Sequence, residues 1–560
     1  MSDLTGLPWL TILGLVPLVG ALLVAVLPSG RDALAKTVAL VVSLVVLALT
    51  ILVCALFEPG GDRFQFVQAH DWIPAFGVQY AVGADGIALV LIALIAVLVP
   101  VVVLASWYDA DPQADRLRRV SVSGVRAAAA GSSASSRRVG GGTAVLDAPA
   151  APSPPSDELP PRRSVKTFFA LLLLLETMMI GVFAATDVFL FYVFFEAMLI
   201  PMYFIIGSYG GPRRSYAAMK FLLYSLFGGL LMLAAVIGLY VVSASQGEGT
   251  FAFEQLLGLH EQMSTTVEIA LFSGFFIAFA IKAPLFPFHT WLPDAGAEAP
   301  VGGAVLLVGV LDKVGTFGFL RYCLPLFPEA SRILGPYVIA LCVIGILYGA
   351  LLAMGQKDLK RLVSYTSVAH FGFIGMGIFA FTTQGQSGAV LYMVNHGLST
   401  GALFLVVGFL IVRGRSRLIP DYSGVANVAP ILAGTFLLAG LSSLALPGLS
   451  TFISEFLVLL GTYSRYPVAA VLAALGVILA ALYVLLMYQR TMQGPLRLPA
   501  LLGDRMPDLR LREVLAVAPL LALMIVLGVY PKPLLDVINP AVEATMQDVG
   551  RTDPAPTAND

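Results

Sequence analysis

Apolar runs of twenty or more residues recur along this chain, separated by short polar stretches, from one end almost to the other. A helix of about 20 apolar residues crosses the hydrocarbon core of a bilayer, and fourteen runs meet that length: 7–27, 33–57, 85–107, 167–186, 188–208, 217–243, 267–288, 300–325, 333–353, 361–381, 387–412, 427–460, 467–489 and 513–530, numbered here as spans 1 to 14. The pattern predicts an all-α polytopic membrane protein with about 14 transmembrane helices. No basic residue precedes the first run and Asp3 lies there, so it reads as a retained span and not a cleaved signal. Proline removes a backbone donor and clashes with the preceding turn. Pro284 and Pro287 therefore interrupt span 7, and Leu446-Pro447-Gly448 interrupts span 12. The two breaks are five spans apart, an odd number, so their segments run oppositely across the bilayer. This predicts two inverted five-helix repeats, spans 4–8 and 9–13, with broken helices placing polar backbone at mid-membrane.

Composition agrees: with 58% hydrophobic residues and 12% charged, the chain lacks the polar surface to cover a soluble domain of this length. Charge adds orientation. With the first residue outside, the loops on the inner side carry 25 Lys and Arg and those outside carry 6, so the positive-inside bias places both termini on the outer side. The expected organisation is 1–108 for spans 1–3, 109–163 for an inner-side insertion, 164–326 and 327–490 for the two repeats, and 491–560 for span 14 and a polar tail. The insertion is rich in Ala, Gly, Ser and Pro without an apolar period and is expected to be disordered; its removal is expected to be tolerated.

Four ionisable residues lie where lipid-facing helices exclude them: Glu196, Lys282, Lys313 and Glu455. A charge at the bilayer centre costs at least about 2.5–3.5 kcal/mol, and it persists where it faces a bundle interior and marks an ion or proton path. Lys313 follows Asp312, which as an i+1 neighbour on a regular helix points elsewhere. His370 and His396 lie within spans 10 and 11, where an imidazole that both accepts and donates suits a relay; Ser364, Tyr365, Thr366, Asn395 and Ser399 nearby are candidates to hold water. Glu176, Asp187 and His289 are secondary candidates. His70 and His260 fall in outer loops. Cys54, Cys323 and Cys342 form no paired motif, and neither a dinucleotide fingerprint nor a phosphate loop occurs. The chain is expected to bind no redox cofactor, nucleotide, metal or nucleic acid, leaving movement of ions or protons as its chemistry.

The run IKAPLFPFHTWLPDAGAEAP at 281–300, with DVFLFYVFFEAMLIPMYFIIGSYGG upstream and KDLKRLVSYTSVAHFGFIGMG downstream, resembles the antiporter-like membrane subunits of proton-pumping NADH:quinone oxidoreductase, respiratory complex I, and of related multisubunit cation/proton antiporters. The resemblance implies a subunit of an NADH dehydrogenase in a bacterial cell membrane, with NADH, FMN, iron-sulfur clusters and quinone bound by other subunits. Carried over by position, it implies an inlet half-channel on Glu196 and Lys282, a connecting Lys313, a relay through His370 and His396, and an exit half-channel at Glu455. Glutamate at position 455 sets this chain apart from the lysine-bearing L-type and N-type paralogues, which become its expected partners. Gly296 departs from the histidine common there. A Glu196 that moves toward or away from Lys282 would switch the lysine between holding and releasing a proton. Three other readings stay open: a static Glu196–Lys282 ion pair, a subunit of a multisubunit sodium/proton antiporter, and a scaffold that translocates nothing.

Overall fold

The computed structural model describes residues 6–110, 164–499 and 506–555; the expected 109–163 insertion lies almost wholly outside them. Among the described residues, thirteen helices are long and apolar enough to cross a membrane. The fourteenth pass, span 12, is made of two shorter apolar helices, Pro430–Ser443 and Ser450–Tyr463, separated at the Leu446-Pro447-Gly448 break. Span 7 is likewise cut short: its helix Thr265–Lys282 stops two residues before Pro284, and the chain resumes helical form in Leu292–Glu298.

Burial sorts the spans into a centre and a rim. Span 8 (Val301–Leu326) is buried along its whole apolar window, span 10 (Leu359–Phe379) along 94% and spans 3 and 11 (Gly86–Ala105, Thr383–Gly414) along 83%, whereas span 2 (Asp32–Leu56) is buried along only 28%. The central spans 10 and 11 and the broken span 12 are also rich in buried Ser, Thr, Asn and His. Polar side chains sit where lipid does not reach.

Span 8 is not a regular helix. Five-residue π-helical stretches, Leu307–Leu311 and Phe319–Cys323, flank the α-helical turn Lys313–Gly318. Span 5 is also divided, into Val188–Ala197 and Leu199–Tyr209 at Met198, three residues before Pro201. These irregularities lie beside Lys313 and Glu196.

The framework is the expected helical one, with three details the sequence did not show. β1 (Gln65–Ile73) and β2 (Val78–Ala84) form an antiparallel hairpin between spans 2 and 3, pairing His70 with Tyr80. The tail after span 14 contains a helix, Lys532–Asp548, that buries Ile538, Ala541, Val542, Thr545 and Met546. Arg321, one of the six cations assigned to the outer side, lies inside span 8. Its guanidinium is 2.7 Å from the Asp85 carboxylate, with both side chains 5% exposed or less, and it stacks over Phe64.

The hairpin, the C-terminal helix and the starts of the odd-numbered spans share one end of the bundle. Arg63 pairs with Asp548 at 2.6 Å, Asp553 accepts from the Thr383 amide, and Arg465 donates to the Thr552 carbonyl. At the opposite end a charged clamp grips the short helix Leu292–Glu298. Lys220 and Arg361 bond the two oxygens of Asp294 at 2.8 and 2.6 Å, Lys360 donates to the carbonyls of Ala297 and Ala299, and Arg417 reaches Glu298. Burial pushes the Asp294 carboxyl up, but the two cations hold it below the ordinary carboxylate value.

Candidate proton path

Lys282 is the last residue of its half-helix and is fully buried. Its ammonium has no hydrogen-bond partner and lies 4.5 Å over the Phe195 ring, a cation–π contact that offsets part of the burial cost. The break beside it is closed from both sides. Trp291 donates its indole N–H to the Ile281 carbonyl at 2.8 Å, and Gly315 of span 8 lies so close that a Cβ there would strike the Phe279 carbonyl and Ala283.

Glu196 comes from the first half of span 5. Its carboxylate occupies a notch in span 6 (Arg214–Ala244) that exists because residue 229 is glycine: a Cβ there would fall on the carboxylate itself. One of its oxygens, Oε1, is buried without a hydrogen-bond partner. Neither Lys282 Nζ nor Glu196 Oε1 has a hydrogen-bond partner among the described residues, so the static tether is not formed here.

Lys313 is held in the opposite manner. Its ammonium lies 3.1 Å from Asp312, 2.6 Å from His396 Nδ1, and donates to the Val308 carbonyl in the π-helical turn. The expectation that Asp312 points away is corrected: i+1 side chains diverge on a regular α-helix, but π turns displace the helix on both sides of this pair. The two groups then neutralise each other in the interior.

From Lys313 the polar contacts continue. The His396 and His370 rings lie 5.2 Å apart, centroid to centroid. His370 Nδ1 is 2.7 Å from the Tyr392 hydroxyl and Nε2 is 3.3 Å from Ser443 Oγ. Tyr392 donates to Glu455 Oε2 at 2.8 Å. The series Lys313, His396, His370, Tyr392, Glu455 thus spans from span 8 to the second half of span 12, with one step, between the two imidazoles, lacking a direct hydrogen bond. Buried polar atoms without a protein partner lie along it: His396 Nε2, Asn395 Oδ1, and the hydroxyls of Thr400, Ser442, Ser450 and Thr451. Buried polar groups are almost always bonded to protein or to ordered water, which marks this seam as a place for water.

Of the expected site residues, Lys313, His396, His370 and Glu455 come together, while Glu196 and Lys282 form a separate group joined to them by no direct hydrogen bond. Asp187 caps the helix of span 5 through the Leu190 amide at 2.8 Å, a structural task. Glu176 is buried with both oxygens unpartnered, and His289 stacks on Phe286 and meets Tyr348 edge to face. Ser364, Thr366 and Ser399 bond carbonyls of their own helices; Asn395 alone of the named water candidates crosses to another span, at Ser450 and Ser454. Tyr392 and Ser443 were missed. The spacing of Tyr392 four residues before His396, one turn away on the same face, was the available signal.

Fourteen passes with buried charges beside broken and π-turned helices define a class, the antiporter-like membrane subunit. The chain belongs to the family described as NADH:quinone oxidoreductase/Mrp antiporter, TM, which matches residues 185–482. Within it, the full-length likeness is to chains named NADH-quinone oxidoreductase subunit M: 53% identity to that of Mycobacterium tuberculosis, covering 99% of this chain and 97% of the relative, and 36% to that of Rhodobacter capsulatus, covering 96% of each. Among solved structures, a chain of respiratory complex I from Thermus thermophilus with bound NADH is similar with a TM-score of 0.80 at 31% identity, covering 97% of this chain and 100% of that one. A chain of the Mrp complex from Dietzia sp. DQ12-45-1b shares the fold with a TM-score of 0.77 at 21% identity, covering 97% and 99%. The chain is a multi-pass membrane subunit of the complex I type.

Proposed function

We propose that this chain translocates protons from the cytoplasm to the outer side in response to quinone reduction elsewhere in an NADH:quinone oxidoreductase. The observation that carries this is the series from Lys313 to Glu455, in which each side chain can both take and give a proton and all are buried. The charge bias of the loops supports assigning the hairpin end of the bundle to the outer side, with both termini there. Glu196 and Lys282 form the inlet, Lys313 the connection and Glu455 the exit, on two inverted repeats, spans 4–8 and 9–13. The repeats are approximate: Lys282 precedes its break, whereas Glu455 follows its own. NADH, FMN, iron-sulfur clusters and quinone belong to other subunits, and L-type and N-type chains are its neighbours.

An inlet whose carboxylate and ammonium are close but unbonded is a poised pair. Bringing Glu196 against Lys282 stabilises the charged lysine, and separating them favours release of its proton to the interior. The test is Lys282→Ala in the whole complex reconstituted into vesicles: with full subunit content, NADH-driven proton translocation and coupled quinone reduction fall severely. Normal pumping by that variant refutes the reading. The sodium/proton antiporter alternative predicts instead that pumping depends on sodium, and the full-length likeness at 53% favours the proton reading.

A further inference from the structure

We propose that the Tyr392 hydroxyl is the proton relay joining His370 to Glu455, an assignment that rests on the translocation reading above. Tyr392 is fully buried, and its single hydroxyl is shared between two partners at nearly equal distance, 2.7 Å to His370 Nδ1 and 2.8 Å to Glu455 Oε2. No other side-chain hydrogen bond to Glu455 exists among the described residues. A tyrosine kept only for packing needs one polar partner; this one closes the gap between spans 10 and 12.

The polarity of the link follows from its donors. The tyrosine has one proton and gives it to Glu455, so it accepts from His370 Nδ1–H, which leaves His370 Nε2 to accept from the Ser443 hydroxyl. A proton arriving at Nε2 makes His370 an imidazolium. The Nδ1–H bond then breaks as an O–H bond forms on Tyr392, while the original phenol proton bonds to Glu455 Oε2. One proton has moved from His370 to Glu455, the tyrosine is neutral before and after, and no oxidant or reductant takes part. Afterwards the hydroxyl points back at His370, whose remaining proton is on Nε2. The hydroxyl must rotate about its C–O bond and His370 must return to the Nδ1–H tautomer before another proton passes, so the link transmits once per reset.

Tyr392→Phe keeps the ring, held against Phe373 and His370, and removes only the hydroxyl. In the intact complex in vesicles, driven by NADH and a short-chain quinone, proton translocation is expected to fall by about a hundredfold with subunit content unchanged. In infrared difference spectra the carboxyl C=O band assigned by its loss in Glu455→Gln is lost from Tyr392→Phe as well, because no proton is delivered to Glu455. Wild-type pumping by Tyr392→Phe overturns the relay whatever the band does. Should the Phe variant fail to assemble, 3,5-difluorotyrosine placed at 392 keeps ring and hydroxyl: a change of about twofold or more in pumping rate supports the relay, and an unchanged rate overturns it. Lys313→Ala and Glu455→Gln serve as controls. If they are inactive while Tyr392→Phe pumps normally, the relay fails and the path stands; if all three pump normally, the path itself fails.

Discussion

Two buried lysines in neighbouring spans are held in contrasting ways, and substitution should tell them apart. Lys282 has no hydrogen-bonded partner to orphan, so Lys282→Met should remove pumping while leaving the thermal stability of the purified complex within about 1 kcal/mol of wild type. Lys313→Met strands the Asp312 carboxylate in the interior and should cost about 3–5 kcal/mol. Adding Asp312→Asn should recover most of that stability without recovering pumping. Stability that stays low in the double variant would refute the pairing. At Glu455 the order of two variants is informative: Glu455→Gln keeps the Tyr392 hydrogen bond but cannot take a proton, so activity should be lost, whereas Glu455→Asp should retain much more. Equal, near-normal NADH oxidation by both would remove Glu455 from the path. The four intramembrane charges were legible because a charge in an apolar run stands out. Asp312 and Tyr392 were not. The rule for regular helices turns Asp312 away from Lys313, and π turns suspend that rule; Tyr392, for its part, is in sequence one more aromatic residue in a membrane span.

Among the elements, the breaks in spans 7 and 12 were visible in their prolines, and the structure puts helix ends there. The hairpin was not visible, since its strands carry mixed polar and apolar residues without clean alternation. Nor was the helix Lys532–Asp548, whose low apolar content and two prolines, Pro533 and Pro540, read as tail; its apolar residues fall on one buried stripe, which only a period-of-3.6 reading recovers. The notch in span 6 gives a sharp prediction. Gly229→Val places bulk on the Glu196 carboxylate, so pumping should fall by about tenfold, at an overpacking cost of about 1–3 kcal/mol; unchanged pumping would show that Glu196 has no fixed seat. At the opposite end of the bundle, Asp294→Ala releases Lys220 and Arg361 together. The group is partly exposed, so a stability loss of about 1–3 kcal/mol in the thermal dissociation of the complex is the expected reading, with Lys220→Ala alone costing less.

For the whole molecule, the C-terminal helix ties the bundle together at the hairpin end. Its contacts reach Arg63 beside the hairpin, Ser387 of span 11 through Asn539 at 2.8 Å, and Arg332 of span 9 through the Val549 carbonyl. Asp548→Ala alone removes one partly exposed ion pair and should cost about 1 kcal/mol or less. Deleting 532–555 uncovers the bundle surface that Ile538, Val542 and Met546 pack against and should leave the subunit missing from the complex on native gels; a normal complement would show the helix to be dispensable. Span 11 carries a further consequence. Tyr392 and His396 ride on one unbroken helix, Thr383–Gly414, and each bonds to a different neighbour, Glu455 of span 12 and Lys313 of span 8. A slide of that rod along its own axis by the length of a hydrogen bond stretches both connections in the same instant. The wiring is that of a double-pole switch, which opens a circuit on both sides of a component with a single throw.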